Sequence, residues 1–243
     1  MNPIIVIPAR LAATRLPNKP LADIHGEAMI IHCWRRAMEA DLGPVLVAAG
    51  DPEIVEAIKS VGGDSVLTNP DHPSGSDRVW EAVMRRDPDG RHDIIVNAQG
   101  DLPTLDPAAI RASIEPLSDP QVDIATLVAE ITRDEERTNP NVVKAFAGFK
   151  EGKNTARALA FTRATAPYGD GPLYHHIGLY AYRRHALEQF IGLAPGILER
   201  REKLEQLRAL EAGLRIDVRL VDTVPLGVDT IEDLGRARAA LTP

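Results

Sequence analysis

PIIVIPARLAATRLPNKPL, residues 3–21, runs a short apolar stretch straight into a turn that carries three cations and two further prolines. Ile4, Ile5, Val6 and Ile7 are bounded by Pro3 and Pro8, the pattern of a strand buried on both faces. Such a strand needs helices above and below it, and the next hundred residues supply them. Residues 28–41 place Ile31, Trp34 and Met38, followed by Leu42, at helical spacing among charges. Residues 44–49 are again continuously apolar. Asp51 and Pro52 then open a helix through about Ser60, the aspartate as its cap and the proline in its first turn. Val66 and Leu67 mark a short strand. Ser74 to Arg86 reads as a helix with Val79, Ala82 and Val83 inward. Ile94, Ile95 and Val96 form a third strong strand that runs into Asn97-Ala98-Gln99-Gly100-Asp101, and Asp106-Pro107 starts another helix. Strand and helix alternating in this way predict an α/β fold, a doubly wound parallel sheet with right-handed crossovers.

The pattern changes after residue 115. Residues 122–131, 142–149, 157–163 and 174–182 read as strands with little helix between them, which predicts antiparallel strands extending the sheet or forming a subdomain. Helices are expected near 184–193 and 197–212, a strand near 215–221 and a last helix from Thr230 to Leu241. The segment from Lys150 to Asn154 reads as a polar turn.

The 243 residues carry 28 lysines and arginines against 35 aspartates and glutamates, a net charge of −7. That balance argues against nonspecific nucleic-acid binding, which draws on clustered positive charge. Cys33 is the single cysteine, which excludes a disulfide framework and a C-x-x-C zinc site. The longest apolar runs, Ile4–Ile7 and Val45–Ala49, fall far short of the ~20 residues of a membrane helix. No secretory signal is visible at the N-terminus, so the expected location is the cytoplasm.

Ligands of doubly wound sheets bind beyond the carboxyl ends of the strands. After the first strand, Arg10, Arg15 and Lys19 are spaced five and four apart in a proline-stiffened stretch that cannot form a regular helix face. This is either a solvated loop or a cradle for a polyphosphate. It contains no glycine, so it is neither a Walker loop nor a dinucleotide fingerprint. After the third strong strand, Asp101 follows Gly100 and is placed to hold Mg²⁺, which takes one or two carboxylates and completes its shell with phosphate and water. Asp229 is a second such candidate, although Asp229 or Thr230 equally reads as the cap of the last helix. Ser74-Gly75-Ser76-Asp77-Arg78 reads either as a base- or ribose-binding turn or as an ordinary helix start. His175 and His176 face opposite sides of one strand and cannot readily share a metal. Glu202, Glu205, Arg208 and Glu211 read as a solvated helix face.

Eight blocks, in order, resemble the 3-deoxy-manno-octulosonate cytidylyltransferase (CMP-Kdo synthetase) family over nearly the whole chain. They are IPARLAATRLPNKPL (7–21), DHPSGSDR (71–78), NAQGDLP (97–103), NPNVVK (139–144), TRATAPY (162–168), HIGLYAYRR (176–184), EKLEQLRALEAG (202–213) and GVDTIEDL (227–234). The resemblance implies a nucleotide-diphospho-sugar transferase fold. It implies one domain over 1–243, with a nucleotide-binding half at 1–120 and a sugar-binding and dimerisation half at 121–243. It implies CTP and the sugar acid Kdo as substrates, Mg²⁺ as cofactor, a homodimer, and activation of the sugar for lipopolysaccharide synthesis. Carried over residue by residue, Arg10, Arg15 and Lys19 match the triphosphate-binding loop, and together with Pro8, Ala9, Ser74, Gly75, Arg78, Gln99 and Asp101 they make up the implied nucleotide-binding set. Asp101 and Asp229 match the magnesium ligands. Arg163, His176, Glu205 and Gln206, with Gln99, match the sugar-acid pocket. Arg10, Arg15, Lys19 and Asp101 carry the catalytic role. Ala13 replaces a common serine, Leu102 a usual glutamate, and Ala49-Gly50-Asp51 departs from a threonine-aspartate pattern.

The implied reaction is attack of the sugar's C2 hydroxyl on the α-phosphorus of CTP with loss of pyrophosphate, and it needs no protein nucleophile. Competing readings are a cytidylyltransferase for a neuraminate or for 8-amino-Kdo, a nucleotide-binding regulator that keeps the fold, and a dinucleotide-dependent dehydrogenase. The glycine-free first turn disfavours the dehydrogenase, and the retained cations and aspartates disfavour the regulator.

Overall fold

Strand β1 (Pro3–Ala9) lies between two parallel neighbours, β4 (Val45–Ala49) and β6 (Ile94–Asn97), with Val6 opposite both Leu46 and Asn97. Strand β5 (Asp64–Leu67) adds to the outer side of β4, also in parallel. The computed structural model describes residues 1–12 and 15–241. Its contacts group into two compact units, Met1–Arg111 together with the stretch from Pro225 onward, and Ala112–Val224. The last helix, which the sequence places in the second half, therefore belongs to the first unit, and Asp229 comes with it.

In the first unit the four parallel strands are covered by α1 (Met29–Glu39), α2 (Pro52–Ser60) and α3 (Gly75–Arg86). Val79, Ala82 and Val83 of α3 are buried as expected. Helix α1 is turned relative to the expected stripe. It buries Met29, Ile30, Ile31, Cys33 and Ala37 and leaves Met38 exposed. A small hairpin, β2 (Asp23–Ile24) and β3 (Glu27–Ala28), precedes α1. His25 and Gly26 at its tip both have positive φ, the requirement of a tight two-residue hairpin turn. Helix α4 (Pro107–Ser113) ends this stretch, and α9 (Ile231–Ala240) completes the unit from the far end of the sequence.

The second unit is built on β7 (Ile124–Glu130), β8 (Lys144–Ala147), β9 (Thr155–Thr162), β10 (Tyr174–Arg183) and β11 (Ile216–Val221), with a short α5 (Asp134–Thr138) between the first two. The order is β10-β7-β11-β9-β8, mixed in direction, and β8 returns to pair with β10 through Tyr174↔Ala145 and His175↔Lys144. This ring of pairings leaves little free sheet edge. The expected helix at 197–212 is two short helices, α7 (Ile197–Glu202) and α8 (Leu207–Glu211), which follow α6 (Arg184–Gly192). The break is Lys203, whose φ of 58° ends α7 in a left-handed residue.

Candidate active site

The turn after β1 folds back through Pro17 and Asn18 into one turn of 3₁₀ helix, Lys19–Leu21, with Pro20 buried. Asn18 sits in the left-handed region (φ 55°), and its carbonyl accepts from the Leu21 amide. This short turn aims Lys19 inward. Its Nζ donates to Asp101 Oδ2 at 2.8 Å and to Asp229 Oδ1 at 3.0 Å, and the side chain is only 15% exposed. Arg15, 67% exposed, donates to the other oxygen of Asp229 at 2.9 Å. Two carboxylates 128 positions apart in the chain thus meet at one ammonium.

Backbone geometry explains the meeting. A β-carbon on Gly100 would sit 2.7 Å from the Pro8 carbonyl oxygen, so only glycine lets this stretch pass so close to the end of β1. The Asp101 carbonyl in turn accepts the Val228 amide at 3.0 Å, which ties the two acidic segments together. The capping alternative resolves in favour of Thr230. Its hydroxyl accepts the Asp233 amide, and Asp233 accepts the Asp229 and Thr230 amides, which leaves the Asp229 side chain to the cations. Burial works against the Lys19 ammonium, but the carboxylate of Asp101, and after it Asp229, outweighs it and raises the pKa above the ordinary lysine value. Among the described residues no three histidine, cysteine, aspartate or glutamate side chains cluster as a metal cage. A pair of carboxylates facing a cationic turn fits Mg²⁺, which draws its remaining ligands from phosphate and water. Leu102 is buried and packs beside Gly227. Cys33 is buried nearby, and burial first, then Asp101, pushes its thiol pKa up, so it offers no nucleophile.

Beside this cluster, Pro8, Ala9, Arg10, Ser74, Gly75, Arg78 and Gln99 line one pocket of about 140 Å³. Arg15, Lys19 and Asp101 stand in the ion cluster instead, while the other seven of the ten expected nucleotide-binding positions line this pocket. Their roles differ from the simplest expectation. The Ser74 hydroxyl caps α3, accepting the Asp77 amide and donating to the Asp77 carboxylate. The Arg78 guanidinium is buried and donates to Thr68 Oγ1 and to the carbonyls of Asn69 and Pro70. Arg78 therefore shapes the pocket wall by holding the 68–70 segment. Burial first, then neighbouring Arg10, lowers its pKa. Ala13 lies outside the described residues.

The sugar-side candidates Arg163, His176, Glu205 and Gln206 belong to the second unit. Arg163 donates to the carbonyls of Glu202 and Pro140 at 2.8 and 2.9 Å and to that of Lys203 at 3.4 Å. It clamps the end of α7 to the NPNVVK turn, a structural duty that sequence reasoning missed. His176 Nε2 lies 3.0 Å from the Thr126 hydroxyl, whose single proton goes to the carbonyl of Ile177 or Leu179, so Nε2 carries the donor hydrogen. Its ring meets Phe161 edge-on and lies near Tyr180. Burial, reinforced by His175, lowers the His176 pKa to about 3. Gln206 is buried, with no hydrogen-bond partner for its amide nitrogen among the described residues. The expected solvated face of Glu202, Arg208 and Glu211 is instead a set of anchors. Glu202 accepts from Thr162 and the Arg163 amide, Glu211 accepts the first amides of α7, and Arg208 pairs in two-point fashion with Glu199 over the Phe190 ring.

The cytidylyltransferase family model matches residues 4–216. A 3-deoxy-manno-octulosonate cytidylyltransferase of Paramagnetospirillum magneticum is 67% identical over 99% of this chain and 98% of its own. One from Rhodospirillum centenum is 68% identical over 100% of this chain and 94% of its own. The chain belongs to the 3-deoxy-manno-octulosonate cytidylyltransferase family. Among solved structures, a CMP:2-keto-3-deoxy-manno-octonic acid synthetase complexed with CTP superposes with a TM-score of 0.90 at 36% identity, covering 98% of both chains. A glucose-1-phosphate thymidylyltransferase from Bacillus anthracis, described as putative, shares the fold at 18% identity and a TM-score of 0.63, covering 98% of this chain and 94% of its own. The nucleotide-diphospho-sugar transferase fold expected from the eight sequence blocks is thus the one found, and this member of the cytidylyltransferase family is a nucleotidyltransferase.

Proposed function

We propose that the protein transfers CMP from CTP to 3-deoxy-D-manno-octulosonate, releasing pyrophosphate. The observation that carries this reading is the Lys19 ammonium held between Asp101 and Asp229, with Arg15 on the second carboxylate. The reaction brings an anionic sugar to an anionic triphosphate. A site for it must supply fixed positive charge to the phosphates and carboxylates for a divalent ion, and both sets stand here within hydrogen-bond distance of each other. Arg10, Arg15 and Lys19 neutralise the triphosphate and the charge that builds on the leaving pyrophosphate. Asp101 and Asp229 would hold Mg²⁺. When bound, that ion screens the repulsion between the reactants and acidifies the attacking hydroxyl. The pocket of Pro8, Ala9, Ser74, Gly75 and Gln99 takes the nucleoside, and Arg78 keeps its wall in place.

In the second unit, His176, Glu205, Gln206 and Arg163 serve the sugar acid. The amide nitrogen of Gln206 provides an uncharged donor for hydroxyl recognition, His176 contributes a neutral imidazole whose one N–H is given to Thr126, and Arg163 acts through the segments it clamps. We further assign the protein to the cytoplasm as a homodimer, in which the unit of Met1–Arg111 and the stretch from Pro225 handles the nucleotide and the unit of Ala112–Val224 the sugar, with the product feeding lipopolysaccharide synthesis. The names of the close relatives and the CTP of the solved relative support the substrate pair. Pyrophosphate release with CTP, Mg²⁺ and a panel of sugar acids tests it. Kdo is expected to be turned over at least tenfold better, in kcat/KM, than 8-amino-Kdo or a neuraminate, a gap of about 1.4 kcal/mol. Equal or better turnover of either rival overturns the assignment.

A further inference from the structure

Asp51 stands at the N-cap position of α2, directly before Pro52, where an aspartate normally accepts an amide of its own helix. Here it makes no such bond. Its Oδ2 instead accepts the Leu11 amide at 2.7 Å, forty residues back along the chain. Leu11 is the second residue past the end of β1, where sheet pairing has stopped and its amide has no ladder partner. The residues flanking this bond are packed around it. The Gly50 amide donates to the Ala9 carbonyl at 2.8 Å. A β-carbon on Gly50 would lie 2.8 Å from Arg78 Nη1 and 3.1 Å from Arg10 Cβ. The end of β4 thus runs hard against the start of the cationic turn, and a larger residue at position 50 must push the Arg78 or Arg10 side chain aside.

We propose that Asp51 is a positioning residue for the cationic turn: by holding the Leu11 amide it fixes the direction in which the chain leaves β1, and so where Arg10 stands at the nucleotide pocket. Asp51 is not among the residues that line the nucleotide pocket. Its role rests on the reading given above, that this turn binds the triphosphate of CTP. Helix α2 gives up its side-chain cap for this, and Pro52, which has no amide hydrogen, together with Glu53 in the first turn softens that cost.

The test uses the full chain with Asp51→Ala and Asp51→Asn. Asparagine keeps an oxygen that accepts the Leu11 amide, and alanine does not. Asp51→Ala is expected to raise the KM for CTP about tenfold, the loss of one charge-assisted hydrogen bond, while the KM for the sugar acid stays within about twofold. Asp51→Asn is expected to restore the CTP KM to within about threefold of the parent. An unchanged CTP KM in Asp51→Ala overturns the proposal, and so does an Asp51→Asn variant as impaired as Asp51→Ala. Hydrogen–deuterium exchange at Leu11 gives a readout that needs no activity. The amide is expected to exchange at least tenfold faster in Asp51→Ala than in the parent and in Asp51→Asn, and equal rates in all three overturn the anchor. If the parent makes no pyrophosphate from CTP and Kdo, the functional reading fails, and the exchange experiment still decides whether Asp51 holds the turn.

Discussion

Asp101 and Asp229 show most directly how single residues divide the work. Replacing either with alanine removes one of two carboxylates and leaves Lys19 with a single partner. Turnover measured by pyrophosphate release is expected to fall at least a hundredfold, about 2.7 kcal/mol of transition-state stabilisation, with a much smaller change in CTP affinity. A kcat within threefold of the parent removes the metal role from that residue. His176 makes a different prediction. With a pKa of about 3 against an ordinary value of about 6.5, it stays neutral through the physiological range. Its imidazole resonances should not titrate between pH 8 and pH 5. The unfolded chain gains this proton below about pH 6.5 and the folded chain does not. Stability in urea unfolding should therefore fall as pH drops through that window, by up to ~1.4 kcal/mol per pH unit from this group, and His176→Gln should flatten the slope. The cations and Asp101 were legible in the sequence because they follow strand ends, whereas Asp229, just ahead of the last helix, read equally as its cap. The duty of Arg163 was not, since its partners are carbonyls at 140, 202 and 203 and backbone acceptors leave no mark in residue identity.

At the level of elements, the strands of the first unit were readable as short apolar runs, and its long helices by apolar residues at helical spacing or by a cap residue. The break inside 197–212 was not. Its apolar and charged residues keep helical spacing across Lys203, where a left-handed residue ends α7 and the Arg163 side chain takes the carbonyls of Glu202 and Lys203; the start of α7 is likewise held from elsewhere in the chain. Glu211 accepts the amides of Ile197, Leu198 and Glu199, and a β-carbon on Gly196 would lie 1.8 Å from the Glu211 carboxylate. Glu211→Ala leaves the start of α7 uncapped and is expected to cost about 2 kcal/mol in urea unfolding. Gly196→Ala should be similarly harmful through the clash. The hairpin at His25-Gly26 did carry a signal, a glycine beside a residue tolerant of positive φ, but its strands are only two residues long and show no alternation to read. Gly100→Ala probes the other tight approach. The methyl group must displace either β1 or the Asp101 segment, so kcat should fall by an order of magnitude or more in the same pyrophosphate assay.

For the whole molecule, ligand linkage offers the cleanest measurement. CTP with Mg²⁺ at about a hundred times its dissociation constant should stabilise the fold by ~2.7 kcal/mol, a rise in Tm of roughly 5–10 °C for a chain of this size. Chelating the metal, or replacing Asp229 with alanine, should remove much of that rise. The division into units was only partly legible, because nothing local in the sequence says that residues beyond 225 return to the first unit. That return is fixed by the Val228–Asp101 backbone bond and the grip of Lys19 and Arg15 on Asp229. It also bears on how the protein is made. A ribosome that has read as far as codon 224 has joined every residue of the second unit and nothing of the stretch that bears Asp229. The partial product holds half of its acid pair, so a polypeptide interrupted there is not expected to consume CTP until the stretch from Pro225 has joined the first unit.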